Sequence, residues 1–261
     1  MQKKTAAPKS VRILSLTFEP ITKEDAYRKI SEWLAHPRAC AKIYTPNPQM
    51  VLGVARKPSL RPIFARADLL LPDGIGLMIA SHWLGTPLPD RLTGIDTAEY
   101  VLQEAEKKGL SVALLGAKKG VAKRAADRLK KRYPALRVSF THHGYFEKEG
   151  KENERILTAL RAAKPDILFV CFGFPLQETW LDRHASSIPS LRLCMGLGGA
   201  LDVWAGDARR APKWVSACGA EWLWRTLGDP NRYRNFLEIP AFLCLVARDA
   251  RDARDAMEKT S

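Results

Sequence analysis

The chain has neither a glycine-rich dinucleotide fingerprint nor a Walker loop in its 261 residues. Where the third glycine of a G-x-G-x-x-G would fall after Gly196 and Gly198 stands Leu201. A nicotinamide-dependent oxidoreductase or a P-loop kinase would lack its phosphate cradle. No D-x-D pair is present to hold a divalent ion on a diphosphate. The five cysteines (Cys40, Cys171, Cys194, Cys218 and Cys244) form no C-x-x-C pair and have no histidine cluster beside them. Zinc and a disulfide framework are both disfavoured, and a reducing compartment is expected. Cys171 and Cys194 sit in apolar runs and read as small core residues. The histidines are scattered. His142 and His143 are adjacent, so at a strand end they are expected to point to opposite sides. No metal site is expected.

Long apolar runs are also missing. The longest late candidate, 236–247, holds Glu238 and Pro240 and is shorter than the roughly 18–20 residues a membrane span requires. The first twelve residues are polar and basic, unlike a signal peptide. The expectation is a cytoplasmic protein that can still lie against a membrane. What the chain has in excess is positive charge: 42 Lys and Arg against 28 Asp and Glu, net +14. Such a balance favours a polyanionic partner, whether nucleic acid, anionic headgroups or phosphorylated substrates, without specifying a fold. The basic residues are spread along the chain rather than gathered into a stripe, and no nucleic-acid motif appears, so nucleic acid is not expected as a partner.

Short apolar runs alternate with longer amphipathic patterns. Strands are expected at 11–16, 42–45, 68–71, 111–116, 136–140, 166–173 and 191–196. Helices are expected at 23–35, 93–108, 121–133, 153–163 and 177–186. In 93–108, Ile95, Ala98, Val101, Leu102 and Ala105 share one face. The alternation predicts an α/β fold with a Rossmann-like, mostly parallel sheet covered by helices on both faces. After about Ala211 strands cease and Trp and Arg crowd a helical stretch. The expected organisation is an α/β core at 1–210 and a helical, Trp/Arg-rich appendage at 211–261. The terminal R-D-A repeat reads as a solvated helix or a frayed tail.

Ligands of parallel sheets bind beyond the carboxyl ends of the strands, so the loops there are the ones to inspect. Thr45 and Asn47 of TPNPQ put polar groups at a strand end, though the same residues suit a helix cap. Asp73 of LPDGIG follows a strand and could accept a proton from a bound hydroxyl, or cap the helix 75–84. Gly116, Lys118 and Gly120 of GAKKG lead into a helix N-terminus, where unpaired N–H groups and the helix dipole attract anions. Gly173 starts a tight turn before Gln177 and Glu178, a pair suited to hydrogen bonding a nucleobase, a sugar hydroxyl or an N-acetyl group. Gly198 of GLGGALD allows close backbone approach.

Taken in order, TPNPQ, ADLLLPDGIG, DRLTGID, LLGAKKGVA, YPALRV with HGYF, PDILFVCFGFPLQE, GLGGALDVWAGDARRAP and GAEWLWRTLGDPNRYR resemble the WecG/TagA/CpsF family of bacterial glycosyltransferases. They run from about Lys42 to Arg234. The resemblance implies an inverting, metal-independent enzyme with no cofactor. It would move N-acetylmannosamine, its uronic acid or glucose from a UDP donor to a sugar on polyprenyl diphosphate. The products would serve teichoic-acid linkage units, enterobacterial common antigen or exopolysaccharide. By the same resemblance Asp73 is the general base, Thr45 and Asn47 flank it, and Gln177 contacts the donor. Arg91 would lie near the acceptor or the phosphates. Arg225, Arg232 and Arg234 would neutralise diphosphate in an appendage that closes over the site at the inner face of the cytoplasmic membrane. A non-catalytic nucleotide- or nucleic-acid-binding module is the competing reading. Oligomeric state is left open, a homo-oligomer included.

Overall fold

The computed structural model describes residues 10–36, 39–212, 215, 224 and 238–258. Arg225, Arg232 and Arg234 lie outside the described residues. The chain opens with β1 (Val11–Ile13) and β2 (Leu16–Phe18), then α1 (Lys23–Ala35), β3 (Ala41–Tyr44), α2 (Pro48–Arg56), α3 (Arg61–Ala65), β4 (Leu69–Leu70) and α4 (Ile75–Trp83). There follow α5 (Gly94–Lys108), β5 (Ser111–Gly116), α6 (Val121–Arg132), β6 (Arg137–His142) and α7 (Gly150–Ala163). The described chain ends with β7 (Ile167–Cys171), α8 (Leu176–His184), β8 (Leu193–Gly196), α9 (Ala200–Ala205) and α10 (Glu238–Glu258).

Six strands form one parallel sheet in the order β4-β3-β8-β7-β5-β6. Its side chains alternate between two apolar layers. Ile43, Leu69, Val112, Leu114, Ile167, Phe169, Leu193 and Met195 face the layer shared with α1, α5, α6 and α9. Tyr44, Leu70, Ala113, Leu115, Leu168, Val170 and Cys194 face the layer shared with α2, α4, α7, α8 and α10. Burial on both faces explains why the central strands read as unbroken apolar runs rather than alternating ones. The expected α/β sheet covered on both sides is present.

The run 11–16 departs from expectation. It is the first half of a two-stranded antiparallel hairpin outside the main sheet, with Val11 opposite Phe18 and Ile13 opposite Leu16. Leu14 turns the chain at φ 52°, a left-handed conformation that ends the extended run. The R-D-A repeat is helical: α10 runs through to Glu258. Phe242, Val246 and Ala250, spaced four apart, are its buried stripe, and it docks on α2 and α4. Phe242 is fully buried in the core, and Leu243 is partly packed against it. The helical repeat decides this, because it turns Phe242 to the same side as Val246 and Ala250.

At the amino ends of the strands, acidic side chains tie neighbours together. Asp166 Oδ2 accepts from the N–H and hydroxyl of Ser111 at 2.8 and 2.9 Å, and its Oδ1 accepts from Arg192 Nε at 2.8 Å. These ties fix the strand register and thereby the relative heights of the loops at the opposite, carboxyl end.

Candidate active site

The loops after β3 and β4 are joined backbone to backbone. Leu71 N–H donates to Tyr44 O and Asp73 N–H to Pro46 O, each at 2.9 Å. Leu92 N–H donates to Pro72 O at 2.9 Å, which draws the start of α5 to the same mouth. Asp73 does not cap the helix that follows it; the N-cap of α4 is Gly74, at φ 105°. Its Oδ2 instead accepts from Gly94 N–H at 3.2 Å, at the first residue of α5. A Cβ added at Gly94 would stand 2.7 Å from Thr45 Oγ1 and 3.6 Å from Leu197 Cδ2. Asp73, Thr45, Gly94 and Leu197 therefore converge at the carboxyl ends of β3, β4 and β8.

Asn47 is the N-cap of α2, and its Oδ1 accepts from Met50 N–H at 3.0 Å. Arg91 is half-buried and directly precedes the Leu92 tie. Gly94 was not singled out by sequence, yet its signal is legible. Thr93 and Asp96 cap α5 reciprocally: Asp96 N–H donates to Thr93 Oγ1 at 3.2 Å, and the Thr93 hydroxyl donates to Asp96 Oδ2 at 2.6 Å. That capping pattern places Gly94 at the helix start beside Asp73.

A second group lies at the mouths of β5, β7 and β8. Gly116, at φ 145°, leaves no room for a side chain, since an added Cβ would meet Cys171 O at 2.4 Å. Gly120 caps α6 in a left-handed conformation with no side-chain cap, and Lys118, Lys119 and Gly120 are exposed. The α6 N-terminus thus lies at the carboxyl end of β5, with two exposed lysines in the turn before it, a setting in which backbone donors attract anions. Gly173 and Gly198 also have positive φ, with open space where a Cβ would point. Gln177 joins these two loops. Its Oε1 accepts from Gly173 N–H at 3.2 Å and from Gly198 N–H at 2.9 Å, while its Nε2 donates to Glu178 Oε1 at 2.7 Å. Gln177 and Glu178 are both buried. Burial pushes the Glu178 carboxyl up to about 7, partly offset by the hydrogen bond from Gln177. Cys171 is buried as expected, and burial pushes its thiol up to about 12, out of range for a nucleophile at neutral pH.

The loop after β6 folds over the Gly116 turn. A Cβ at Gly144 would come within 3.1 Å of Gly116 Cα and of Phe172 Cδ1. Lys148 Nζ lies 3.9 Å from the Phe146 ring centre and donates to the carbonyls of Gly144 and Phe146. His142 and His143 do not point apart: their ring centres are 4.2 Å from one another. β6 ends at His142, so strand alternation no longer governs His143. Among the described residues no group of three or more His, Cys, Asp or Glu side chains is placed to hold a metal ion. No described helix is long and apolar enough to cross a membrane.

A cleft of about 720 Å³ opens at the other end of the sheet, lined by Lys42, Arg66, Asp166, Asp182 and Arg192. Its charges are matched internally, Lys42 and Arg66 to Asp182 and Arg192 to Asp166. It lies at the amino ends of the strands, where parallel sheets do not place catalytic loops. The carboxyl-end crevice is therefore the candidate site. From β3 to β5 is three strand spacings, roughly 14 Å, a span suited to an elongated substrate held at both ends.

Residues 11–256 match the glycosyl transferase WecG/TagA/CpsF family. The chain is 32% identical over 208 residues to a Bacillus spizizenii protein, covering 80% of this chain and 79% of that one. It is 33% identical over 240 residues to a Staphylococcus aureus protein, covering 91% and 92%. Both relatives are named N-acetylglucosaminyldiphosphoundecaprenol N-acetyl-beta-D-mannosaminyltransferase.

Proposed function

The chain belongs to the WecG/TagA/CpsF glycosyltransferase family, and from that premise we propose that it transfers N-acetylmannosamine, or a related hexose, from UDP to a sugar on polyprenyl diphosphate. The names of the curated relatives support N-acetylmannosamine as donor sugar and an N-acetylglucosaminyl diphosphate lipid as acceptor. Its uronic acid and glucose are the alternatives among donors. The observation that carries the reading is the Asp73 carboxylate at the crevice mouth, anchored by Gly94 N–H with the Thr45 hydroxyl beside it.

Asp73 takes the proton of the acceptor hydroxyl as that oxygen bonds to the anomeric carbon. The bond from that carbon to the UDP oxygen breaks on the opposite face, so the configuration inverts. UDP departs with its electron pair. Lys118, Lys119 and the α6 N-terminus offset the growing diphosphate charge. Arg225, Arg232 and Arg234, outside the described residues, would add cations of the kind that bind phosphate through two parallel hydrogen bonds. Arg91 serves the acceptor side. No metal takes part in this scheme. The enzyme works at the inner face of the cytoplasmic membrane, where a polyprenyl acceptor would be anchored.

The test is UDP release with EDTA present, over a panel of UDP-sugars and polyprenyl-diphosphate acceptors, beside Asp73→Asn. Acceptor-dependent release from one donor, lost in the variant, supports the reaction, the metal independence and the base together. Release undiminished in Asp73→Asn removes the base. UDP binding without release from any pair favours a non-catalytic nucleotide-binding protein.

A further inference from the structure

Among the described residues, Glu178 Oε2 is the one buried side-chain nitrogen or oxygen with no hydrogen-bond partner. A carboxylate that is 1% exposed is costly to bury, and an orphaned oxygen on it asks for a reason. The reason lies with its other oxygen. Oε1 accepts from Gln177 Nε2, and Gln177 Oε1 accepts from the N–H groups of Gly173 and Gly198. A glutamine amide can sit in two orientations related by a flip. In the alternative one, its NH2 would face two backbone N–H donors and its oxygen would face a carboxylate. Both contacts would be repulsive. Glu178 therefore selects the orientation in which Gln177 ties the loop after β7 to the loop after β8. When ionised, the Glu178 carboxylate makes that hydrogen bond roughly twice as strong as a neutral acceptor would. The fit leaves little slack: a Cβ at Gly196 would come within 2.9 Å of Gln177 Nε2.

We propose that Gln177 and Glu178 form an internal clamp that fixes the loops after β7 and β8 against one another and so shapes the donor side of the crevice, with Gln177 a positioning residue rather than a contact to the donor. The link to donor binding rests on the transferase reading above; the clamp itself does not.

The clamp makes a prediction by exchange of roles. Gln177→Glu sets two carboxylates face to face. Gln177→Glu combined with Glu178→Gln restores one acceptor toward the glycines and one donor between the two side chains. Hydrogen exchange without substrate is measured over 172–176 and 196–199, together with KM for the UDP-sugar and kcat. The single variant is expected to raise exchange in both loops and KM on the order of tenfold, the loss of one charged hydrogen bond. The double variant is expected to return both to within about threefold of the parent, by the same arithmetic. If the double variant regains loop protection but not KM, Gln177 touches the donor through its own N–H and the positioning role fails. If the single variant leaves exchange unchanged, there is no clamp. Should Gln177→Glu not fold, Gln177→Ala is read in the same two loops: lost protection there supports the clamp, and full protection overturns it. Failure of the transferase reading would show separately, as no turnover by the parent protein, with the exchange result still standing.

Discussion

Replacing Glu178 by Gln should make the protein more stable at pH 8 and leave it nearly unchanged at pH 5. The folded carboxyl titrates at about 7 because burial opposes its ionisation, against an ordinary 4.5. A group whose folded value is raised binds more protons in the native state between those two pH values, so stability falls as pH rises from 4.5 to 7 and then levels off. At about 1.4 kcal/mol per pH unit, the gap is worth about 3 kcal/mol once the group is fully charged. Glutamine avoids that cost while its Oε1 can still accept from Gln177. The assay is urea unfolding of both proteins at several values from pH 5 to pH 8.5. Burial lowers His184 in both proteins alike, so the quantity to follow is the difference between the two. That difference should grow to about 3 kcal/mol by pH 8, roughly 1 M in urea midpoint. A difference that stays flat across the range would mean that Glu178 is not a buried, penalised carboxylate.

Asp73→Asn should lower kcat by 10²–10⁴ while UDP-sugar binding, followed by calorimetry, stays close to that of the parent. Lys118→Ala with Lys119→Ala should raise the donor KM several-fold and flatten its dependence on salt, because exposed cations act through a screened field; an unchanged salt profile would remove them from the donor site. Phe242→Ala should cost about 3–5 kcal/mol as a core cavity and free α10 from α2 and α4, visible as a lower melting temperature. A membrane-facing Phe242 would instead leave melting unaffected and weaken vesicle binding.

The sheet was legible because its central strands are buried on both faces: 111–116 and 166–173 read as apolar runs whatever their neighbours. The segment 11–16 was misread because three-residue strands fall below the length at which pattern distinguishes a hairpin arm from a sheet strand. Asp73, Thr45 and the Gly116 turn stood out by sequence through their position after strands, and the structure places them at strand mouths. The job of Gln177 did not stand out, since its two partners, Gly173 and Gly198, are backbone groups from different loops. No composition rule names a backbone N–H. Helix α10 shows the same limit from another side: its alternating charges advertise solvent, while the single stripe Phe242, Val246 and Ala250 decides where it lies.

The strand order β4-β3-β8-β7-β5-β6 has a consequence for how the enzyme comes into being. β3 with β4 and β5 with β6 are each built from nearby sequence, but they meet only through β7 and β8, which are synthesised last among the described strands. Until residue 196 has left the ribosome, the two halves of the crevice are separate fragments with open strand edges. Such edges are templates for mispairing, and contacts this distant in sequence form slowly. The last strand is thus a keystone: Asp73 and the lysines of the β5 turn cannot belong to one site before it is set. A nascent chain halted before it should be unable to bring the two halves of the crevice together, and should depend most on chaperones at that length.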